Sequence, residues 1–224
     1  MTAVAKHLAR DVHPLLETRV TSLRIGASGW VADLRNGGPI VAQAVLLTPP
    51  VPQSLELLEA GAVELPAQRL SDLRTIDYER CLAVMAMLDG PSHVPVPGGL
   101  APPDGPIAWI ADNQAKGVSP VPAVTIHATA TFSLAHWDRH REESGQMLVE
   151  AAAPWLRAAV TGVQVQGWRY SRPLTVHQER CVVVDSMPRL CFAGDAFAGP
   201  RVEGAFLSGW AAADALEQMR GAVS

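Results

Sequence analysis

Residues 189–213 read RLCFAGDAFAGPRVEGAFLSGWAAA, and this segment constrains the fold more than any other in the chain. A short apolar run, 190–193, has the look of a buried strand that delivers Gly194 and Asp195 to the end of a sheet. Gly199-Pro200 then turns the chain into a helix that starts near Val202, with Phe206, Leu207, Trp210 and Leu216 as its expected packing positions. The first N–H groups of such a helix have no intrahelical acceptor, so they offer a site to an anionic or electron-rich ligand. Asp195, at the strand end, is placed to accept hydrogen bonds from ligand hydroxyls. Two readings stand side by side: a ligand-binding corner, or an aspartate that caps a helix among glycines that only turn the chain.

The rest of the sequence supplies layers around that corner. A first helix is expected over about residues 3–10, and β-branched alternation predicts strands over 18–24 and 30–34. Asn36-Gly37-Gly38 is a hairpin signal, because these residues tolerate positive φ. Residues 40–47 are nearly continuous in apolar character and predict one fully buried strand, stopped by Thr48-Pro49-Pro50; a short helix follows over 53–60. From Tyr78 a second region begins, with strands over 78–88, 107–112, 123–132 and 163–171. A Pro/Gly-rich loop occupies 90–106, and 133–159 has the spacing of two helices. The order predicts a mixed α/β (α+β) chain of two interleaved domains: 1–75 as part of one, 76–185 as a second, and 186–224 returning to the first.

Composition excludes several classes. The chain has 224 residues, 48% of them hydrophobic, which is ample for a core. With a net charge of −4 and only Lys6 and Lys116 as lysines, it has no basic run to track phosphates, so nucleic acid is not an expected partner. Cys81, Cys181 and Cys191 have no CxxC spacing, which argues against a disulfide framework or a structural zinc site. The N-terminus lacks an apolar h-region, and no apolar stretch approaches the roughly 20 residues of a membrane span. A soluble, cytoplasmic setting is therefore expected. His136 and His140 stand at i, i+4, a spacing that can hold a metal, but the flanking WDRHREE reads as a solvated, charged face. Ser208 lies in FLSGW, which lacks the first glycine of GxSxG, and no phosphate-binding GxxxxGK[ST] is present.

Three pieces together resemble a known group: CFAGDAFAGPRVEGAFLSG at 191–209, GWRYSRP at 167–173, and AVLLTPPVPQSLELL at 44–58. They are similar to the flavin amine oxidase superfamily, and most of all to its renalase-like oxidases. The resemblance implies FAD as cofactor, with Asp195 at its ribityl or diphosphate region and Gly194 allowing close approach. It implies that Val202, Glu203, Gly204 and Ala205 present backbone N–H groups to the pyrimidine edge of the isoalloxazine. It also implies that Val20, in TRVTSLR, brackets the adenine and that Thr48 and Pro49 lie near the diphosphate. His127 and Trp168 are implied to face the flavin from the substrate side.

The resemblance further implies oxidation of isomeric dihydronicotinamide dinucleotides, or related amines, with dioxygen as electron acceptor. No side chain is expected as a catalytic acid or base, because hydride transfer is the cofactor's own chemistry. Such enzymes open with a strand–GxGxxG–helix unit, and the sequence contains no GxGxxG. A truncated frame is the expected reason. On that expectation the chain binds FAD poorly by itself, leaves a sheet edge unpaired and tends to self-associate. The alternative is a non-catalytic remnant, or a subunit whose partner chain completes the FAD site.

Overall fold

The computed structural model describes residues 2–221. The chain divides into two compact units, one running up to Ile76 and resuming at Val176, the other spanning Asp77–Thr175. The sequence-based boundary at 185/186 thus falls ten residues later than the point where the chain rejoins the first unit.

The first unit opens with α1 (Thr2–Leu8) and an antiparallel sheet of β1 (Val20–Gly26), β2 (Gly29–Leu34) and β3 (Ile40–Ala42). Val20 pairs with Leu34 at one end of the hairpin and Gly26 with Gly29 at the other. Trp30 is fully buried, and its indole N–H donates to the Pro188 carbonyl at 2.8 Å. A buried indole needs such an acceptor. The run 40–47 is not one buried strand. It breaks at Gln43-Ala44 into β3, which pairs with β2, and β4 (Val45–Leu47), which belongs to another sheet. Ile40, Val41 and Leu46 are exposed in consequence. Two helices come next, α2 (Val51–Ala60), opened by Pro50, and α3 (Ala67–Arg74), which periodicity did not reveal.

The second unit is one antiparallel sheet with helices on a face. Its strands are β5 (Tyr78–Leu88), β6 (Gly99–Leu100), β7 (Ile107–Asp112), β8 (Ala123–Ala128) and β9 (Val160–Pro173), in the order β6-β7-β8-β5-β9. Between β8 and β9 lie α4 (Ala130–Ala135) and α5 (Arg141–Leu156). Leu82, Val84 and Ala86 of β5 form the core with Leu148, Ala152 and Leu156 of α5, each large side chain contributing about 1.5–3 kcal/mol. Alternation then turns Met85 and Met87 to the opposite, exposed face.

The strand expected over 123–132 ends early because Thr129 caps α4, its hydroxyl accepting the Phe132 N–H at 3.2 Å. His136 and His140 do not share a helix, since α4 ends before the first and α5 begins after the second. His136 instead stacks on Phe132 at 4.1 Å, with Nδ1 held 2.9 Å from the Phe132 carbonyl.

On its return the chain forms β10 (Val182–Val183), β11 (Leu190–Phe192), α6 (Asp195–Ala198) and α7 (Val202–Gly221). The second sheet of the first unit has the order β10-β11-β4, with β10 antiparallel and β4 parallel to β11. The packing face of α7 differs in part from expectation, with Leu216 packed inward as expected. Phe206 and Trp210 are exposed, while Gly204, Ser208 and Ala212, spaced i, i+4, i+8, form the buried stripe. Small residues let α7 approach closely, and Ala212 joins Cys191 and Ala193 in a cluster against which Cys181, Val183 and Leu216 pack. All three cysteines are free thiols. Among the described residues no helix is long and apolar enough to cross a membrane.

Candidate functional site

The parallel pairing of β4 with β11 creates the corner. Leu47 is the register partner of Phe192, and the Ala193 N–H continues the ladder to the Leu47 carbonyl at 3.0 Å. Two parallel strands that end side by side deliver Thr48-Pro49 and Gly194-Asp195 to one edge, the C-terminal edge, where open α/β sheets hold ligands. Gly194 has φ 139°, a conformation that L side chains rarely adopt, and its would-be Cβ lies in ordinary contact with the Thr48 carbonyl, so the backbone angle is what calls for glycine. The corner therefore stays open as bare backbone.

Asp195 starts α6 half-buried. Burial pushes its carboxyl above the usual carboxylate range, while its own N–H and that of Ala196 pull in the opposite direction. It forms no ion pair among the described residues. An acceptor of this kind is met only in part by the protein itself.

Ser208 anchors the corner to α7. Its hydroxyl accepts the Gly194 N–H at 2.9 Å and donates to the Arg180 carbonyl at 2.6 Å. At Gly204 any side chain would run into the Gly199 carbonyl, and the Ala198 carbonyl lies 2.8 Å from where its Cβ would be. The first turn of α7 thus rests directly on the backbone of the preceding loop. Val202, Glu203 and Gly204 occupy the helix start ahead of the first intrahelical bond. The Ala205 N–H is the donor of that bond, to the Arg201 carbonyl at 3.0 Å.

Val20 and Pro49 line one cavity of about 570 Å³ together with Arg19, Arg35, Gln53 and Glu56. The hairpin and the end of β4 thus share a concavity that neither shows in sequence.

His127 and Trp168 both stand on the second unit's sheet, on β8 and β9 with β5 between them. His127 is the register partner of Ala83, and Trp168 of Cys81 two residues away, so both side chains share the face opposite α5. Desolvation, and secondarily the Lys116 charge, lower the pKa of His127. The imidazole is neutral at pH 7. Sequence reading missed Trp109, the direct cross-strand partner of His127, because its neighbours in IAWIAD look like core. It also took Ser208 only for a failed nucleophile.

The comparisons with known proteins agree with this architecture. Residues 1–216 match the family of flavin containing amine oxidoreductases. The putative protoporphyrinogen oxidase from Exiguobacterium sp. 255-15 is similar over 97% of this chain and 50% of its own, at 17% identity and a TM-score of 0.65. An oxidoreductase from Methanosarcina mazei is similar over 88% of this chain and 49% of its own, at 16% identity and a TM-score of 0.64. A triple mutant of putrescine oxidase is similar over 97% of this chain and 53% of its own, at 15% identity and a TM-score of 0.64. These likenesses show the fold. The chain belongs to the flavin containing amine oxidoreductase family. It spans about half the length of the solved structures it matches.

Proposed function

We propose that the chain forms the flavin- and substrate-binding part of a FAD-dependent oxidoreductase of renalase-like type. Its substrates are isomeric dihydronicotinamide dinucleotides, or related amines, and dioxygen is the electron acceptor. The observation that carries the cofactor assignment is the shared edge of β4 and β11, where Thr48-Pro49 and Gly194-Asp195 stand side by side. A half-buried carboxylate with only two backbone donors suits a polyhydroxyl chain, whose O–H groups supply the missing donors. The cavity holding Val20 and Pro49 suits an adenosine, its volume falling within the range of ordinary ligand sites.

A bound flavin supplies hydride acceptance from the substrate and return of the electrons to dioxygen. The chain's own residues then bind, orient and tune. The amides of Val202, Glu203 and Gly204, at the positive end of the α7 dipole, favour electron density at whatever group they face. On the second unit, Trp168 offers an exposed indole for stacking, and neutral His127 adds no charge to a planar heterocycle. Neither residue is required to move a proton.

Quenching of FAD fluorescence on titration with the chain tests cofactor binding. Stopped-flow bleaching of the flavin by dihydronicotinamide isomers, set against putrescine, tests the substrate. Bleaching by the amine alone would replace the dinucleotide reading with the amine one.

A second reading is favoured by one feature, the lack of any GxGxxG in the sequence. The pyrophosphate then relies on a glycine-rich loop from another polypeptide. Quenching only after that polypeptide is added would establish it.

A further inference from the structure

The open face of the second unit's sheet carries two indoles, and their separation specifies the ligand. Register puts Trp109 (β7), His127 (β8), Ala83 (β5) and Gln166 (β9) in a single row across four strands. Trp168 stands on the same face, two residues along β9 from Gln166. Both indoles are exposed, Trp109 by 39% and Trp168 by 54%. At about 4.8 Å per strand, three strand steps plus one two-residue offset separate them by about 16 Å. Two rings that sandwich a third stand only about 7 Å apart, so the pair does not clamp one heterocycle.

Trp109 has a seat of its own. A side chain at Gly99 would collide with its ring, the indole Cη2 lying 2.9 Å from where that Cβ would be. The next glycine, Gly98, is packed against the stem of Lys116, whose Cγ lies 3.1 Å from the corresponding position. Lys116 forms no ion pair among the described residues, and the row from Trp109 to Gln166 contains no carboxylate. An exposed ring with an uncompensated ammonium nearby fits a second aromatic group that carries negative charge.

We infer that Trp109, seated on Gly99 beside Lys116, is a second aromatic subsite that binds the far ring of an extended ligand with two heteroaromatic ends and an anionic linker. Trp168 binds the near ring. The inference rests on the reading of this face as the substrate side. It makes length and two-ring character the selected properties, and a small amine gains nothing from Trp109.

The test uses the wild-type chain and two probes, the oxidised nicotinamide dinucleotide and nicotinamide mononucleotide. Indole N–H resonances are followed by NMR and assigned through Trp109→Phe and Trp168→Phe. The dinucleotide is expected to shift both signals, and the mononucleotide only that of Trp168. Trp109→Ala is expected to weaken dinucleotide binding about tenfold and leave the mononucleotide unchanged, with Trp109→Phe restoring most of the loss. A Trp168 shift with both probes and no Trp109 shift with the dinucleotide overturns the second subsite alone. No shift with either probe overturns the subsite together with the substrate-side reading.

Discussion

The Ser208 hydroxyl holds the Gly194 N–H at 2.9 Å, fourteen residues away in sequence, and so locks the start of α6 to the second turn of α7. Both partners of this hydroxyl are main-chain groups, the second being the Arg180 carbonyl. Ser208 is fully buried, so the loss of its oxygen strands a donor and an acceptor.

Ser208→Ala is expected to destabilise the chain by about 1–3 kcal/mol and to weaken flavin binding with it. Urea unfolding followed by circular dichroism measures the first effect, and FAD titration the second. A variant of unchanged stability would show that the hydroxyl is dispensable to the corner.

Asp195→Asn is expected to separate stability from binding. Its carboxyl pKa is raised in the folded state, so the folded chain holds its proton more tightly than the unfolded one. Ionised Asp195 therefore costs stability as pH rises through the ordinary carboxylate range, and that cost is present at pH 7. Because the side chain is only half-buried, solvent screening keeps the effect small. Removal of the charge should raise Tm slightly, while FAD affinity falls. A lowered Tm in the ligand-free protein would contradict this account.

Gly204→Ala places a methyl group against the Gly199 carbonyl. The helix must back away from the loop, at a cost of about 1–3 kcal/mol. Gly209, on the same helix, has nothing within 4 Å of its would-be Cβ, so Gly209→Ala is the matched control and should not destabilise. Equal thermal shifts in the two variants would remove the close approach as the reason for glycine.

His127 supplies a pH signature. Its folded-state pKa is depressed, so the neutral form dominates at pH 7 and stability from this group declines as pH falls below about 6.5. Imidazole carbon resonances should titrate below the ordinary histidine value, and Lys116→Gln should move the midpoint upward. A midpoint at or above the ordinary value would show that the face is wetter than its packing implies.

Strands 78–88 and 107–112 were legible to the residue, because a run that packs on one face and ends at turn residues has few other ways to bury itself. The Gly194-Asp195 corner was legible for the same reason: a short apolar run that stops at glycine ends its strand there, and the next residues turn at the sheet's edge. Stretch 40–47 was not, since apolar character says that a segment is buried without saying against which partner. Only the parallel pairing with β11 splits it and assigns its halves to two sheets. The inner face of α7 was hidden too, apart from Leu216. Periodicity marks the stripes of a helix, and large apolar residues draw the eye to Phe206 and Trp210. The stripe that packs is instead the one with least volume, Gly204, Ser208 and Ala212, because contact distance decides which face a sheet and a loop accept. Local sequence dictated where strands and turns fall; partner choice, and with it the cavity shared by Val20 and Pro49 and the row shared by Trp109 and His127, arose from long-range packing that no window of sequence contains.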